Sequence, residues 1–90
     1  MEMEIGTVYL LHFDSAFKHA RHYLGWTGNL ENRLQQHRDG QGARLMEVVR
    51  DAGIGFELAR TWTGTRRDER RLHNWKASPR LCPICQARGR

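Results

Sequence analysis

Apolar and polar positions along the chain predict three short strands. Residues 5–13 and 21–27 are short and rich in β-branched and aromatic side chains, which is typical of two paired strands. The polar residues 14–20 between them are expected to form the loop of a hairpin. From Phe56 to Trp62 apolar and polar side chains alternate, which predicts a third strand.

Helical spacing of apolar residues predicts three helices. The first follows Asn29, an expected N-cap, and ends in the segment 39–42, which contains two glycines. The second covers residues 44–52, where apolar side chains recur on one face. The third begins at Thr65, where the sequence Thr-Arg-Arg-Asp resembles a capping box, and extends to about residue 77. The order β-β-α-α-β-α predicts a small three-stranded antiparallel sheet flanked by helices, an α+β fold within the broader α/β class.

Length and composition indicate one small domain. Ninety residues are expected to form a single unit over 1–90, with an ordered core of about 5–81 and a basic tail at 86–90. No apolar run is long enough to span a bilayer. The acidic segment 1–4 differs from the basic start of a secretory signal, so a cytoplasmic location is expected.

The positive charge is concentrated in the last third of the chain. The net charge is +5, yet residues 1–57 contain six Lys or Arg and eight Asp or Glu, whereas residues 58–90 contain nine and two. A basic block on a small domain is typical of nucleic-acid binding, although a solvated basic helix followed by a tail gives the same composition. The residues expected to contact nucleic acid surround Glu69, and they are Arg66, Arg67, Arg70, Arg71, Lys76 and Arg80.

The first predicted helix carries two charged or titratable side chains on its apolar face. Arg33 and His37 share this face with Leu30 and Leu34. Arg33 could bury its stem and keep its head in water, and His37 could complement the helix C-terminus. Both could equally point into a functional site.

Three other side chains have alternative interpretations. Glu69 lies in the first turn of a basic helix, where a carboxylate complements the helix dipole or holds a metal ion. Tyr9 and Tyr23 are ordinary strand aromatics when each is taken alone.

Taken together and in order, these residues resemble the GIY-YIG nuclease superfamily over about residues 5–81. The segment His37-x-x-Gly40-x-Gly42-Ala43 is similar to small single-domain members and structure-specific nucleases, and Glu69-x-x-Leu72 is similar to the metal-binding segment of the family. The resemblance rests on Thr7-Val8-Tyr9, Tyr23-Leu24-Gly25-Trp26-Thr27, Arg33, His37 and Glu69.

The resemblance implies a phosphodiesterase that uses one metal ion. Glu69 would hold Mg²⁺ or Mn²⁺, and Tyr9 would act as a general base or orient the attacking water. Tyr23 would hydrogen-bond the metal-bound water or the phosphate. Arg33 would stabilise charge on the phosphate, and His37 would position or protonate a reacting group.

Three features of the sequence differ from the family pattern, and one of them, Leu24 in place of Ile, is of little consequence. Thr7 stands where the family usually has Gly, and no Asn follows Glu69 by about a dozen residues. Thr7 and the missing Asn leave open the alternative that the chain is a nucleic-acid-binding module with the same fold and no catalytic activity. Gly25 fits the pattern and would keep space for the phosphate.

The resemblance therefore predicts a metal-dependent endonuclease. Its expected substrate is DNA in repair, recombination or mobile-element processing, cleaved with structural or weak sequence specificity. The basic residues would bind the phosphate backbone without selecting sequence. A homodimer or a protein partner would be needed for stronger specificity.

The motif Cys82-Pro83-Ile84-Cys85 has several interpretations. It could bind zinc, form a redox pair, or pack against the sheet through Leu81 and Ile84. A structural zinc ion needs four ligands, so His73 and a second His, or a second chain, would have to complete the site. A zinc-stapled interaction domain is the corresponding alternative function.

Overall fold

The computed structural model describes residues 4–76 and 78–88. Its three strands form one antiparallel sheet in the order β2-β1-β3, which confirms the predicted α+β fold. The elements are β1 (Gly6–Phe17), β2 (Ala20–Thr27), α1 (Leu30–Arg38), α2 (Arg44–Asp51), β3 (Phe56–Gly64), α3 (Arg66–Asn74), α4 (Ser78–Leu81) and α5 (Pro83–Arg88).

The β1–β2 hairpin is longer than the sequence predicted. Tyr9 lies opposite Gly25 and His12 opposite His22, and after a register shift the pairing resumes at Phe17. The prediction of a loop over 14–20 is therefore wrong for residues 14–17, which continue β1. Polar side chains are tolerated there because the strand is exposed near its tip, while its backbone forms cross-strand hydrogen bonds.

The central strand β1 separates two hydrophobic clusters. Tyr9, Leu11 and Phe13 face the first cluster, which also contains Met46 and Val49 from α2. The intervening side chains of β1 point to the other side of the sheet because successive residues of a strand alternate. That second cluster contains Val8, Leu10, Leu24 and Cys82.

Local sequence signals fix the starts of α1 and α3. The side chain of Asn29 accepts a hydrogen bond from the N–H of Asn32 at 3.1 Å, as expected of an N-cap. Thr65 and Asp68 form the predicted capping box. The helix that Thr65 starts ends at Asn74, and residue 77 lies outside the described residues.

The C-terminal segment folds back onto the sheet as two short helices. Leu81 and Ile84 pack against the second cluster, which confirms the predicted packing. The predicted tail at 86–90 is wrong for residues 86–88, which complete α5, and residues 89–90 lie outside the described part. Pro83 suits the first turn of this helix because that position needs no N–H donor. Of the helices in residues 4–76 and 78–88, none has the length and hydropathy to cross a bilayer.

Candidate functional site

A polar cleft of about 300 Å³ opens at the edge of β2, between α1 and α3. It brings together three of the five predicted catalytic residues, although they are far apart in the sequence. This space is called the cleft below. The lining residues used in the argument are Tyr23, Gly25, Arg33, Arg66, Glu69 and Arg70.

The wall formed by α3 is anchored to the sheet. The indole Nε1 of Trp26 donates a hydrogen bond to the carbonyl of Gly64 at 2.9 Å, just before α3 begins. The guanidinium of Arg66 lies 4.7 Å from the centre of the same indole ring. Glu69 is half-buried in the first turn of this helix and faces β2 across the cleft.

Arg33 reaches the cleft from the opposite wall. Its side chain is half-buried, and its Nε donates to Oε1 of Gln36 at 3.0 Å. Leu30 and Leu34 of the same helix pack on the first hydrophobic cluster. The stem of Arg33 is thus held against packed residues, and Gln36 orients its guanidinium.

Tyr9 lies behind the cleft and is fully buried. A Cβ atom at position 25 would come within 2.5 Å of the Tyr9 hydroxyl oxygen, so the glycine makes room for this phenol. The space that the sequence analysis assigned to a phosphate is occupied by Tyr9 on this side of Gly25. The rings of Tyr9 and Tyr23 are 6.1 Å apart, which leaves Tyr23 as the phenol that lines the cleft.

His37 contacts Tyr9 and does not line the cleft. Its Nε2 lies 2.7 Å from the Tyr9 hydroxyl, and its Nδ1 lies 3.0 Å from the carbonyl oxygen of Gln41. A carbonyl can only accept, so Nδ1 carries the proton and Nε2 accepts the hydrogen bond that Tyr9 donates. Burial lowers the pKa of His37, and the nearby charge of Arg33 lowers it further, against the opposing effect of the Gln41 carbonyl.

The two tyrosines remain protonated at neutral pH. Burial raises the pKa of Tyr9, Tyr23 raises it further, and the positive charge of Arg33 acts in the opposite direction. Burial also raises the pKa of Tyr23, where Arg33 opposes the shift and the charge of Glu69 adds to it. Neither phenol is a free phenolate, so each must pass on its own proton to accept another.

A wider groove of about 690 Å³ continues from the cleft along the hairpin. It shares Tyr23 and Leu24 with the cleft and is lined further along by Arg21 and Lys76. This space is called the groove below. The cleft and the groove thus adjoin at Tyr23 and Leu24, and basic side chains line both of them.

The predicted nucleic-acid contacts fall into two sets. Arg66 and Arg70 line the cleft and Lys76 lines the groove. The other three are exposed and line neither of these spaces, and they are Arg67, Arg71 and Arg80. Arg21 was missed by the sequence analysis because it lies outside the basic block.

A second group of functional side chains lies on the opposite face of the sheet from Tyr9. His12, His22, Cys82 and Cys85 each offer one ligand atom, and these atoms all lie within 4.8 Å of one another. This group, called the His–Cys cluster below, could hold a metal ion. His73, which the sequence analysis named as a partner of the cysteines, is exposed and is not a member.

The two histidines of the cluster were missed by the sequence analysis, although a signal was present. Closing the predicted hairpin symmetrically about its loop would have placed His12 opposite His22, as the structure does. That register indicates a pair of imidazoles without indicating a metal site. Burial lowers the pKa of His22, and the neighbouring His12 and Arg21 lower it further.

Comparison with known protein families, curated proteins and solved structures gives no match to this chain. The interpretation of both sites therefore rests on residues and geometry.

Proposed function

We propose that the chain is a metal-dependent endonuclease of the GIY-YIG type that hydrolyses DNA phosphodiester bonds. The observation that carries the proposal is the convergence of Tyr23, Arg33 and Glu69 on one cleft, with Tyr9 directly behind it. Side chains so distant in the sequence have no packing reason to share a polar cleft. They are the residues that the resemblance assigns to catalysis.

Glu69 would hold Mg²⁺ or Mn²⁺ in this arrangement. Magnesium commonly uses one or two protein carboxylates and completes its shell with water and phosphate oxygens, so a single half-buried carboxylate fits. Within residues 4–76 and 78–88 no basic nitrogen lies within ion-pair distance of Glu69, which leaves its oxygens available to a cation. The ion, when bound, would neutralise phosphate charge and lower the pKa of a water ligand.

Arg33 and the basic residues of α3 would bind the scissile phosphate. A guanidinium presents paired N–H donors that match two phosphate oxygens, and Gln36 already orients that of Arg33. Arg66 and Arg70 lie on the facing wall. Charge that develops on the phosphate in the transition state would thus be met from both sides.

The proton released in this reaction would leave the cleft through the tyrosines, whose ring centres are 6.1 Å apart. A water held in the cleft would give its proton to the oxygen of Tyr23, whose own proton would pass to Tyr9. Tyr9 would in turn give its proton to Nε2 of His37, to which it already donates at 2.7 Å. His37 accepts this proton because its Nε2 lone pair is available in the tautomer set by Gln41.

The groove would bind the DNA backbone next to the scissile bond. Its lining includes Arg21 and Lys76, and it continues directly from the cleft at Tyr23. Lys and Arg contacts to phosphates give affinity that depends on salt and not on sequence. This supports a structure-specific or weakly sequence-specific enzyme, with a homodimer or partner protein supplying any further specificity.

A cleavage assay tests the proposal. Purified protein would be incubated with branched, nicked and plain duplex DNA, and with RNA, in Mg²⁺ or Mn²⁺. We expect cleavage of at least one DNA substrate, and loss of about 10³-fold in rate for Glu69→Gln. The matched control is Glu57→Gln, because Glu57 is exposed on β3 and lines neither the cleft nor the groove.

Three outcomes would contradict the proposal. Cleavage that survives Glu69→Gln would remove the assigned role of this carboxylate. Cleavage of RNA alone would change the substrate. Salt-dependent DNA binding without cleavage by the wild type would instead identify a binding module, consistent with Thr7 and the absence of a late Asn.

A further inference from the structure

The His–Cys cluster joins two regions that are far apart in the sequence. His12 and His22 are directly opposite each other on β1 and β2, and both side chains point to the second hydrophobic cluster. Cys82 immediately precedes α5, and Cys85 lies within it. The contact between His12 and Cys82 spans 70 residues of sequence.

Three of the six distances between ligand atoms of the cluster match the edges of a metal-centred tetrahedron. The Nδ1 of His12 lies 3.4 Å from Sγ of Cys82 and 3.6 Å from Sγ of Cys85, and Nε2 of His22 lies 3.3 Å from Sγ of Cys85. Tetrahedral zinc, with Zn–S of about 2.3 Å and Zn–N of about 2.0–2.1 Å, places N and S ligands about 3.6 Å apart. The three nitrogen–sulfur separations are all within 0.3 Å of that edge length.

We infer that His12, His22, Cys82 and Cys85 bind one Zn²⁺ ion as a closed structural site. Four protein ligands fill a tetrahedral shell, so no position is left for a substrate or a reactive water. Two nitrogen and two sulfur ligands in this geometry favour zinc over harder cations. Binding displaces the two thiol protons and gives two thiolate ligands.

The arrangement of the ligands indicates a single ion and not an iron–sulfur cluster. Where two His and two Cys hold a [2Fe–2S] cluster, the histidines bind one iron and the cysteines bind the other. Here Sγ of Cys85 lies within 3.6 Å of a ligand nitrogen from each histidine. Histidine and cysteine ligands therefore surround the same metal position.

The backbone around the cysteines also suits a metal-bound thiolate. The N–H of Cys85 points at Sγ of Cys82, with nitrogen and sulfur 3.5 Å apart. Such a contact stabilises negative charge on the sulfur. His12 and Cys82 are almost fully buried, with exposed fractions of 1% and 0%, whereas His22 and Cys85 are partly exposed.

The ion would fasten the C-terminal segment to the sheet. The helices α4 and α5 contain four and six residues, which is too short for either to be stable alone in water. Zinc would connect them to the middle of the β1–β2 hairpin and cover the second hydrophobic cluster. The site does not depend on the proposed nuclease activity, because none of its four ligands lines the cleft.

Metal analysis of the full chain, purified without chelator from cells supplied with zinc, tests this inference. We expect one zinc ion per chain, and loss of at least nine-tenths of it in Cys82→Ser and Cys85→Ser. The matched control is His73→Ala, an exposed histidine outside the cluster, which should keep one zinc per chain. Because a cysteine variant could fail to fold, circular dichroism would be recorded for every protein.

A second measurement keeps the inference falsifiable if the variants misfold. Wild-type protein stripped of metal would be titrated with Co²⁺ alone, which reports tetrahedral geometry and thiolate ligands through its visible and near-ultraviolet absorption. We expect an intense tetrahedral spectrum that saturates at one ion and disappears when Zn²⁺ is added. The inference is overturned by an octahedral spectrum, by iron or copper in place of zinc, by a Cys82–Cys85 disulfide in the purified protein, or by zinc that survives both cysteine substitutions.

Discussion

The cleft at the edge of β2 and the His–Cys cluster, which lies on the face of the sheet opposite to Tyr9, differ in almost every physical respect. The cleft is open and polar, and it has one carboxylate facing several guanidinium groups. The cluster brings four ligand atoms within 4.8 Å of one another beside a hydrophobic core. Adjacent residues of β2 supply the two sites, because Tyr23 faces one side of the sheet and His22 the other.

This difference distinguishes a site that would exchange its metal ion from a site that would retain it. An ion held by Glu69 alone would need water and phosphate oxygens to complete its shell, so it would bind together with the substrate. An ion held by two imidazoles and two thiolates needs nothing further, so it would stay with the folded chain. The first arrangement favours chemistry and the second favours stability.

The largest expected effect is the loss of stability that follows removal of zinc from the His–Cys cluster. Structural zinc in small domains contributes about 10 kcal/mol or more of binding free energy, which is coupled to folding. Chelation, or Cys82→Ser, should therefore lower the free energy of unfolding by several kcal/mol, as measured by chemical denaturation with and without added zinc. Equal stability of the stripped and zinc-loaded proteins would remove the distinction between the two sites.

Arg33→Ala should show the opposite behaviour, with a large loss of activity and a small change in stability. Loss of a donor that stabilises transition-state charge costs about 10²–10³-fold in rate. The side chain is half-buried at the cleft, so the free energy of unfolding should change by about 1 kcal/mol or less. Single-turnover cleavage and denaturation measure the two quantities. Arg38→Ala is the control, because Arg38 is exposed on the same helix and does not line the cleft.

Gly25→Ala should lower both the cleavage activity and the stability, because it acts on the contact between the sheet and Tyr9. The new Cβ would lie 2.5 Å from the Tyr9 hydroxyl, which must shift and disturb its hydrogen bond to His37. Overpacking of this kind costs about 1–3 kcal/mol. The thermal midpoint and the cleavage rate should fall together. Gly53→Ala is a useful contrast, since a Cβ there meets nothing within 4 Å, although its positive φ adds a backbone cost of its own.

The smallest expected effect is a pH dependence of stability that comes from His37. Its pKa is lowered by folding, so as the pH falls below about 6.5 the unfolded chain takes up a proton before the folded chain does. Stability from this group is present above pH 6.5 and is lost as the pH falls toward the folded pKa, with a slope of at most about 1.4 kcal/mol per pH unit. His37→Gln should flatten the dependence between pH 7 and pH 5. An unchanged slope would show that His37 is equally protonated in both states.

Much of the fold was predictable because its signals are local. Asn29 and Thr65 start their helices through hydrogen bonds that span only three residues. The continuous apolar run of β1 reflects its central place in the sheet, where both faces are covered. The length of the hairpin was not predictable in this way, since Asp14, Ser15 and Ala16 are exposed and Phe17 pairs with Ala20 across the turn.

The proposed catalytic residues were named from their order, but the roles proposed for them depend on tertiary placement. Nothing in the sequence indicates that Tyr9 is fully buried beneath Gly25, or that His37 contacts both tyrosines without lining the cleft itself. The partners of the cysteines were likewise undetermined, and the histidine nearest to them in sequence, His73, is not a member of the cluster.

The sequence by itself determined the three strands, the three longer helices, the caps of α1 and α3 and the set of residue types available for chemistry, because these depend on neighbours a few positions apart. Only the tertiary structure decided which of those residues meet. The register of one hairpin places His12 opposite His22 on one face, and it places Tyr9 against Gly25 on the other. The return of the last helices then brings Cys82 and Cys85 to the histidines, and α3 brings Glu69 to Tyr23 and Arg33. These contacts form between distant parts of the chain, where local patterns carry no information about distance or direction.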